Sequence, residues 1–281
     1  MISCFFVSDL HGHTDRYEKL FGAILENKPQ MVFFGGDLLP HGMRRNLTDD
    51  FTRDFLIDRL LDIRSRMGSC YPRIYIILGN DDPRSEEKAF LNPEPEGLWF
   101  YLHNRKDTCF GYTFYGYSNV PPTPFRFKDW ERYDVSRYVD PGCIPPMEGF
   151  RTVEPEVDLE FATIKDEIAM LIADDPMEKA ILLAHSPPYK SYLDRAALDG
   201  KMVDHVPMDV HVGSIAIMRF IEERQPWLTL HGHIHESSRI TGHWMQQFGR
   251  TVSFNGSWDG PELALIEFDL DKPSKAVRHL L

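Results

Sequence analysis

Five short apolar runs recur along the chain, and each of them ends in glycine or in polar residues. Their length and their content of valine, isoleucine and phenylalanine are typical of β-strands that are buried on both faces. Such runs therefore predict the central strands of a sheet. The five runs are "ISCFFVSD" (2–9), "MVFFGGD" (31–37), "IYIILGND" (74–81), "AILLAHS" (180–186) and "LTLHGH" (228–233).

Helical patterns lie between these runs. Thr14 can cap a helix, and the segment 213–226 has a start signal in Ser214 and a stop signal in Pro226. The alternation of strands and helices predicts βαβ units around a central sheet. Two further stripes have helical spacing, one at Tyr17, Leu20, Phe21, Ile24 and Leu25, the other at Phe161, Ile164, Ile168, Leu171 and Ile172.

The second half of the chain has a different pattern of apolar and polar positions. The stretches 112–118, 251–257 and 263–270 predict strands without intervening helices, which indicates a mixed second sheet. Residues 118–158 are rich in proline and predict an irregular insertion, which can form a lid or rim or can be a plain surface excursion. The length favours a single domain over residues 1–281.

The overall composition is that of an ordinary globular protein, with 42% hydrophobic and 26% charged residues. The net charge of −12 disfavours wide attraction to nucleic acid or to anionic lipid. The four cysteines show no metal-binding spacing, and no apolar run reaches the roughly 18 residues that a membrane span requires. The opening "ISCFFV" lacks a basic leader, so we expect a cytoplasmic protein without a membrane partner.

Residues of the types that bind metals cluster at the ends of the apolar runs. In α/β sheets the site forms at the carboxyl ends of the strands, so neighbouring runs would bring these residues together. Two carboxylates, four imidazoles and one amide oxygen are too many for a single transition metal and suit two ions that share a bridging carboxylate. The seven candidate ligands are Asp9, His11, Asp37, Asn80, His185, His233 and His235.

The string "LTLHGHIHES" (228–237) places histidines at alternate positions. On an extended segment alternate side chains point the same way, so we expect the three imidazoles of His231, His233 and His235 to share one face. For His231, packing or support of the neighbouring ligands is favoured over ligation.

The ordered motifs resemble those of the calcineurin-like metallophosphoesterase superfamily, whose pattern is DxH, GD, GNH, H and GHxH. The motifs in this chain are "SDLHGH" (8–13), "GGD" (35–37), "GND" (79–81), "LLAHSPP" (182–188) and "GHIH" (232–235). The resemblance implies a four-layer α/β sandwich in which two mixed β-sheets are flanked by helices. It also implies that Asp9, His11 and His235 hold one metal ion, that Asn80, His185 and His233 hold the other, and that Asp37 bridges them.

The implied activity is the hydrolysis of small phosphodiesters or phosphomonoesters. Imidazole and carboxylate ligands suit two divalent ions of Mn, Fe or Zn. Two such ions bring a charge of about +4 and the two aspartates return about −2, so the site keeps positive charge for a phosphate anion. A water that bridges the ions would become a hydroxide that attacks phosphorus in line. The expected partner is therefore a small phosphorylated substrate.

One motif departs from the family pattern, because Asp81 stands where the family has the histidine that protonates the leaving group. Nearby cations should lower the pKa of Asp81 and weaken it as a proton donor. Asp81 and His13 are the catalytic candidates, although "NDDPRSEE" also reads as a helix start with Asp82 as the N-cap. His41, His205 and His211 are further candidates for the proton donor, and Arg44 and Arg45 could approach a phosphate, although surface solvation is their favoured use.

Two other functions remain open. A nuclease would share the motifs, but the net charge and the lack of a basic stripe disfavour tracking along nucleic acid. A non-catalytic scaffold would keep the fold and use its surface for partners, and the missing motif histidine is compatible with that. The retention of all seven ligands favours an enzyme, because a scaffold has no chemical need for them. The sequence does not reveal the physiological substrate or the oligomeric state.

Overall fold

A computed structural model describes residues 1–40, 50–92 and 97–281, which form two six-stranded sheets and a small hairpin. The strands are β1 (Ser3–Val7), β2 (Met31–Gly35), β3 (Arg73–Ile77), β4 (Phe100–Tyr101), β5 (Lys106–Cys109), β6 (Tyr112–Tyr117), β7 (Ala180–Ala184), β8 (Met202–Val203), β9 (Val206–Pro207), β10 (Leu228–His231), β11 (Met245–Phe248), β12 (Thr251–Asn255), β13 (Ala264–Asp269) and β14 (Val277–Leu280).

The α-helices in the described residues are α1 (Thr14–Asn27), α2 (Asp58–Met67), α3 (Glu87–Leu91), α4 (Ile164–Ile172), α5 (Ile215–Arg224) and α6 (Ser237–Thr241). A π-helical turn, Thr52–Ile57, leads directly into α2, and short 3₁₀ turns lie at Gly68–Cys70, Arg84–Glu86, Pro146–Glu148 and Pro273–Lys275. Within the described ranges, no helix combines the length and the apolar character needed to cross a bilayer.

Each large sheet has a parallel centre; the first is antiparallel at its β13–β14 edge only, and the second is antiparallel at both edges. The first has the order β14-β13-β1-β2-β3-β4, and the second has the order β11-β12-β10-β7-β6-β5. The five apolar runs were expected around one central sheet, but three of them lie in the first sheet and two in the second. The stretch 263–270, expected in the second sheet, forms β13 and pairs with β1 in the first. Periodicity reports burial, not which sheet a strand joins.

The two sheets pack face to face, and helices cover their outer faces. Phe33 and Tyr75 of the first sheet contact Phe114 of the second, with ring centroids 5.8 and 4.7 Å from that of Phe114. The other face of the first sheet packs against α1 and α2, and that of the second packs against α4 and α5. The four-layer α/β sandwich with two mixed sheets is therefore confirmed.

The helix starts follow the sequence signals closely but not everywhere. Ser214 caps α5 through its hydroxyl, as predicted. The cap of α1 is His13 and Thr14 is the first helical residue, so the predicted cap was wrong by one position. Thr163 caps α4, which leaves Phe161, expected on the apolar stripe of that helix, before the helix and exposed.

The proline-rich segment 118–158 is irregular, as predicted, but it is not a plain surface excursion. Its middle part is buried, and Lys128, Trp130 and Glu131 are at most 1% exposed. The indole N–H of Trp130 donates to the backbone carbonyl of Asp82 over 2.8 Å. The segment is thereby fastened to the loop that follows β3.

Candidate metal centre

Loops from both sheets meet at one edge of the sandwich, where hydrogen bonds tie them together. The N–H of Asp9 donates to the carbonyl of Gly36 over 2.9 Å, and Nδ1 of His185 donates to the carbonyl of Gly35 over 2.7 Å. The N–H of Gly232 donates to the carbonyl of His185 over 2.9 Å. We call this region the ligand edge; it comprises residues 8–13, 36–40, 78–82, 185–188 and 232–235.

Four of the seven predicted ligands have a left-handed backbone. The φ angles are 58° at Asp9, 47° at His11, 52° at Asp37 and 71° at His233. A side chain with a Cβ atom costs roughly 1 kcal/mol or more in this conformation, which persists only where the surroundings enforce it. The backbone of the ligand edge is therefore strained at the residues that carry candidate ligands.

The first group of candidate ligands consists of Asp9, His11, Asp37 and His235, whose donor atoms all lie within 4.8 Å of one another. Nε2 of His235 lies 3.0 Å from Oδ1 of Asp9 and 3.1 Å from Nε2 of His11. Nitrogen and carboxylate oxygen in this number suit a divalent transition ion.

The second group consists of Asp37, His185 and His233, again with donor atoms within 4.8 Å of one another. Nε2 of His185 lies 3.3 Å from Oδ2 of Asp37 and 3.1 Å from Oδ1 of Asn80, which brings the amide oxygen into the group. Asp37 belongs to both groups. The structure thus brings all seven predicted residues together.

The arrangement calls for positive charge between its acceptor atoms. Because Nδ1 of His185 donates to Gly35, a neutral ring would point the Nε2 lone pair at two oxygen atoms. Burial lowers the pKa of His185, but the Asp37 carboxylate outweighs it and raises that pKa to about 10. Burial lowers the pKa of His233 to about 3, which keeps the ring in the neutral form that binds metals. These donors fit divalent cations.

Two glycines permit this close approach. A Cβ atom on Gly79 would collide with the Asp37 side chain and backbone and with the His185 ring. A Cβ atom on Gly232 would collide with Ser8 and with the Asp9 carboxylate. These glycines are therefore needed for contact between neighbouring ligand loops.

The first histidine of the alternating string, His231, lies apart from the candidate ligands. It is fully buried, and its Nδ1 donates to the carbonyls of Ala184 and Ser186 over 3.0 and 2.8 Å. The strand β10 ends at His231 and the backbone turns left-handed at His233, so the three imidazoles do not share one face. His231 instead supports the loop that follows β7.

The comparisons with known proteins agree with this geometry. A family model described as calcineurin-like phosphoesterase matches residues 3–237. The chain belongs to the calcineurin-like phosphoesterase family. Members of this family are generally phosphoester hydrolases that bind divalent metal ions.

Solved structures show the same fold at low sequence identity. The protein TT1561 of Thermus thermophilus is 15% identical with a TM-score of 0.56, and the match covers 99% of this chain and 98% of that chain. A dimetal phosphatase from Danio rerio is 12% identical with a TM-score of 0.50, and the match covers 95% of this chain and 91% of that chain. A search among curated proteins finds no match to the sequence.

Asp81, which replaces the family's motif histidine, lies at the ligand edge. Its N–H donates to Oδ1 of Asp37 over 2.8 Å, and its Oδ1 accepts from the Asn80 amide over 3.2 Å. Burial raises the pKa of Asp81 to about 8, with further contributions from Asp37 and Asp82. Cations bound at Asp37 would act against that rise.

Asp82 does not cap a helix, which corrects the alternative interpretation of "NDDPRSEE". Its carboxylate accepts the N–H groups of Leu38, Leu39 and Gly79 at 2.8–3.1 Å. The residues that follow form a 3₁₀ turn, Arg84–Glu86, before α3. Sequence reasoning missed that Asp82 locks two ligand loops together, because the acceptor and two of its donors are more than 40 residues apart.

A cleft of about 670 Å³ opens beside the ligand edge. Asp37, Asn80, Asp81, His233 and His235 line it. Residues from 121–143, which we call the cleft wall, and residues from 189–215 also line it. The proline-rich segment therefore forms part of the rim around the candidate metal centre.

The other histidines proposed as proton donors lie in different places. His211 lines the cleft. His205 is exposed at the tip of the β8–β9 hairpin, and His13 is half-buried at the start of α1 and is not among the described residues that line the cleft. His41, Arg44 and Arg45 lie outside the described residues.

Proposed function

We propose that the chain is a metal-dependent hydrolase of small phosphoesters. Asp9, His11 and His235 would hold one divalent ion, Asn80, His185 and His233 a second, and Asp37 would bridge the two. The observation that carries this proposal is that the Asp37 carboxylate belongs to both groups of closely spaced donor atoms. Membership of a generally hydrolytic family supports it.

The ions would supply positive charge for the phosphate oxygens and would increase the acidity of a water that attacks phosphorus. The chain's own residues do the positioning. The carbonyl of Gly35 fixes the ring of His185 so that Nε2 faces Asp37, and backbone N–H groups hold the carboxylates of Asp9 and Asp37. With the ligands fixed in this way, little reorganisation is needed when the substrate binds.

The cleft supports a small organic phosphoester as the substrate class. Apolar side chains such as Phe125, Val135 and Met208 line it, and carboxylates of Asp140 and Asp209 face it as well. Among the described lining residues there is no lysine or arginine. An organic ester group without further phosphates fits such a cleft better than a nucleic-acid backbone does, because a polyanion needs basic partners. This disfavours the nuclease hypothesis.

The scaffold hypothesis is also less consistent with the geometry. A scaffold would gain nothing from a left-handed backbone at four candidate ligands, and each strained residue costs stability. It would also gain nothing from burying carboxylates and imidazoles whose donor atoms lie within 4.8 Å of one another. Both features have a use if cations bind there.

Metal content and hydrolysis test the proposal together. We expect the purified protein loaded with Mn²⁺, Fe²⁺ or Zn²⁺ to contain about two ions per chain and to hydrolyse 4-nitrophenyl phosphate or bis(4-nitrophenyl) phosphate. Asp37→Asn and His233→Ala should lower both metal content and rate, the rate by about 10³-fold or more. His205→Ala is the matched control, because this histidine is exposed in the β8–β9 hairpin and is not among the described residues that line the cleft.

The outcomes separate the hypotheses. If Asp37→Asn and His233→Ala equal the wild type in rate and metal content, the proposal is wrong. Metal binding without hydrolysis of either ester would favour the scaffold. Cleavage of the diester alone, or of the monoester alone, would narrow the substrate class.

A further inference from the structure

His211 lies beside the ligand edge, in the segment between β9 and α5. It lines the same cleft as Asp37 and His233. Its segment is fastened to the loop that follows β7, because the N–H of Ser214 donates to the carbonyl of Pro187 over 2.8 Å. The imidazole is therefore held in a fixed position relative to the candidate metal centre.

A buried carboxylate orients the His211 ring. Nδ1 of His211 lies 2.8 Å from Oδ1 of Asp194, whose side chain is fully buried. The same carboxylate accepts the N–H groups of Lys190, Ser191 and Gly213 at 2.9–3.1 Å. Burial raises the pKa of Asp194, and His211 and the backbone amides oppose that rise. Because Asp194 serves as an acceptor throughout, Nδ1 of His211 carries the proton between them.

Tyr189 and Asp209 provide further contacts that hold His211 in place. Tyr189 meets it edge to face, with centroids 6.2 Å apart, and its hydroxyl donates to Asp209 over 2.6 Å. The backbone N–H of His211 donates to the same Asp209 carboxylate over 2.9 Å. In the described ranges of the chain Nε2 of His211 makes no hydrogen bond, and the side chain is 27% exposed. Nε2 is thus the ring atom left for a ligand in the cleft.

We propose that His211 is the catalytic residue that protonates the leaving oxygen of the substrate, and that Asp194 is its positioning residue. This rests on the proposed phosphoesterase function. The attacking water forms a bond to phosphorus while the bond from phosphorus to the leaving oxygen breaks. The Nε2 proton of protonated His211 passes to that oxygen, and the proton released by the water returns to His211 through solvent. A histidine held by a carboxylate is well suited to this exchange.

The dependence on the leaving group distinguishes a proton donor from a structural residue. 4-Nitrophenolate needs little protonation as it departs, because the nitro group delocalises its charge, whereas phenolate needs more. We expect His211→Asn to lower kcat/KM for phenyl phosphate by about 10²-fold or more. The loss on 4-nitrophenyl phosphate should be at least about tenfold smaller. If the wild type is specific for diesters, the methyl diesters of the same two phenols take their place.

Three variants complete the experiment. His211→Asn retains an N–H donor for Asp194 near the position of Nδ1 but lacks Nε2, whereas His211→Ala removes both. Both should lose the same leaving-group-dependent activity and keep the metal content of the wild type. Asp194→Asn should show a smaller loss of the same kind. His205→Asn, at the exposed hairpin tip, is the matched control and should behave like the wild type.

Several results would overturn the inference. Equal losses on both esters, or activity retained by His211→Asn and lost by His211→Ala, would show a structural role. If Asp81→Asn shows the leaving-group-dependent loss and His211→Asn does not, the donor is Asp81. A wild type without metal-dependent hydrolysis of either ester would overturn the proposed function itself, which is distinguishable from a failure confined to His211.

Discussion

The ligand edge and the cleft wall line the same cleft, yet different interactions hold them in place. At the ligand edge, backbone groups meet backbone groups and side chains across very short distances, as at Gly79 and Gly232. In the cleft wall, buried charged side chains satisfy one another. Nζ of Lys128 lies 2.5 Å from the Glu131 carboxylate, which also accepts the N–H of Thr123.

This difference predicts which substitutions matter where. The ligand edge should be sensitive to added volume, because its strands are fixed by register and its loops cannot move apart. The cleft wall has few regular elements, so it should be sensitive to the loss of a partner for a buried charge. Added volume at the ligand edge should thus have little effect on the buried charges of the cleft wall. Loss of a charged partner in the cleft wall should have little effect on the packing of the ligand edge.

The largest effect is expected for Gly79→Ala. The new Cβ atom would displace the Asp37 carboxylate or the His185 ring, so metal content should fall and kcat/KM should drop by about 10³-fold or more, roughly 4 kcal/mol. Elemental analysis and hydrolysis of 4-nitrophenyl phosphate measure this. Gly22→Ala is the matched control, because nothing lies within 4 Å of a Cβ atom there in α1, and it should stabilise the fold slightly. Normal metal binding by Gly79→Ala would show that the loops can move apart.

The second effect concerns the cleft wall. Lys128→Met leaves the Glu131 carboxylate buried without its cation, so the free energy of unfolding should fall by about 3 kcal/mol at neutral to alkaline pH. Denaturant titration measures this. Lys128→Met combined with Glu131→Gln should recover much of the loss, because no unpaired charge remains. A double variant no more stable than Lys128→Met alone would mean that packing, and not charge, holds the wall.

The same contrast explains what the sequence could predict. The ligands Asp9, Asp37 and His185 each follow an apolar run within two residues, so burial of the run determines where the side chain emerges. All seven predicted ligands lie together in the structure, and their role in binding metal remains a prediction. The layered architecture came from the family resemblance, because periodicity alone placed the stretch 263–270 in the wrong sheet.

The cleft wall and its contacts could not be predicted from local pattern. Its segment has no strand or helical period, and proline content indicates only an irregular path. The pairing of Asp194 with His211 spans 17 residues, and that of Asp82 with Leu39 spans 43. Such hydrogen bonds form because the tertiary fold buries both partners and each then needs the other. A single sequence contains no signal for them beyond the residue types.

The third effect is a pH dependence confined to the cleft wall. Burial raises the pKa of Glu131 from 4.5 to about 7, and Lys128 and Thr123 only partly oppose this. A carboxyl group with a raised pKa stabilises the fold fully below its unfolded value and loses that contribution as the pH rises through its folded value. The stability of the wild type relative to Glu131→Gln should therefore fall by about 2.5 kcal/mol between pH 4.5 and 7. A difference that does not vary with pH would show that folding does not shift the pKa of Glu131.

The smallest effect tests whether the cleft wall positions the substrate. Asp134 reaches from the wall to the start of α5, where its carboxylate accepts the Ser214 hydroxyl and the N–H of Ile215, each over 2.6 Å. Asp134→Ala should cost about 1 kcal/mol of stability, as the loss of a helix cap does. It should also raise KM several-fold with little change in kcat, because Asp134 lines the cleft.

Thr163→Ala is the matched control for Asp134→Ala. It removes the cap of α4, whose hydroxyl accepts the Asp166 N–H, and Thr163 is not among the described residues that line the cleft. Both variants should therefore lose similar stability in denaturant titration, and only Asp134→Ala should change KM. If the two variants have the same kinetics, the wall contributes to folding alone, and the ligand edge suffices to position the substrate.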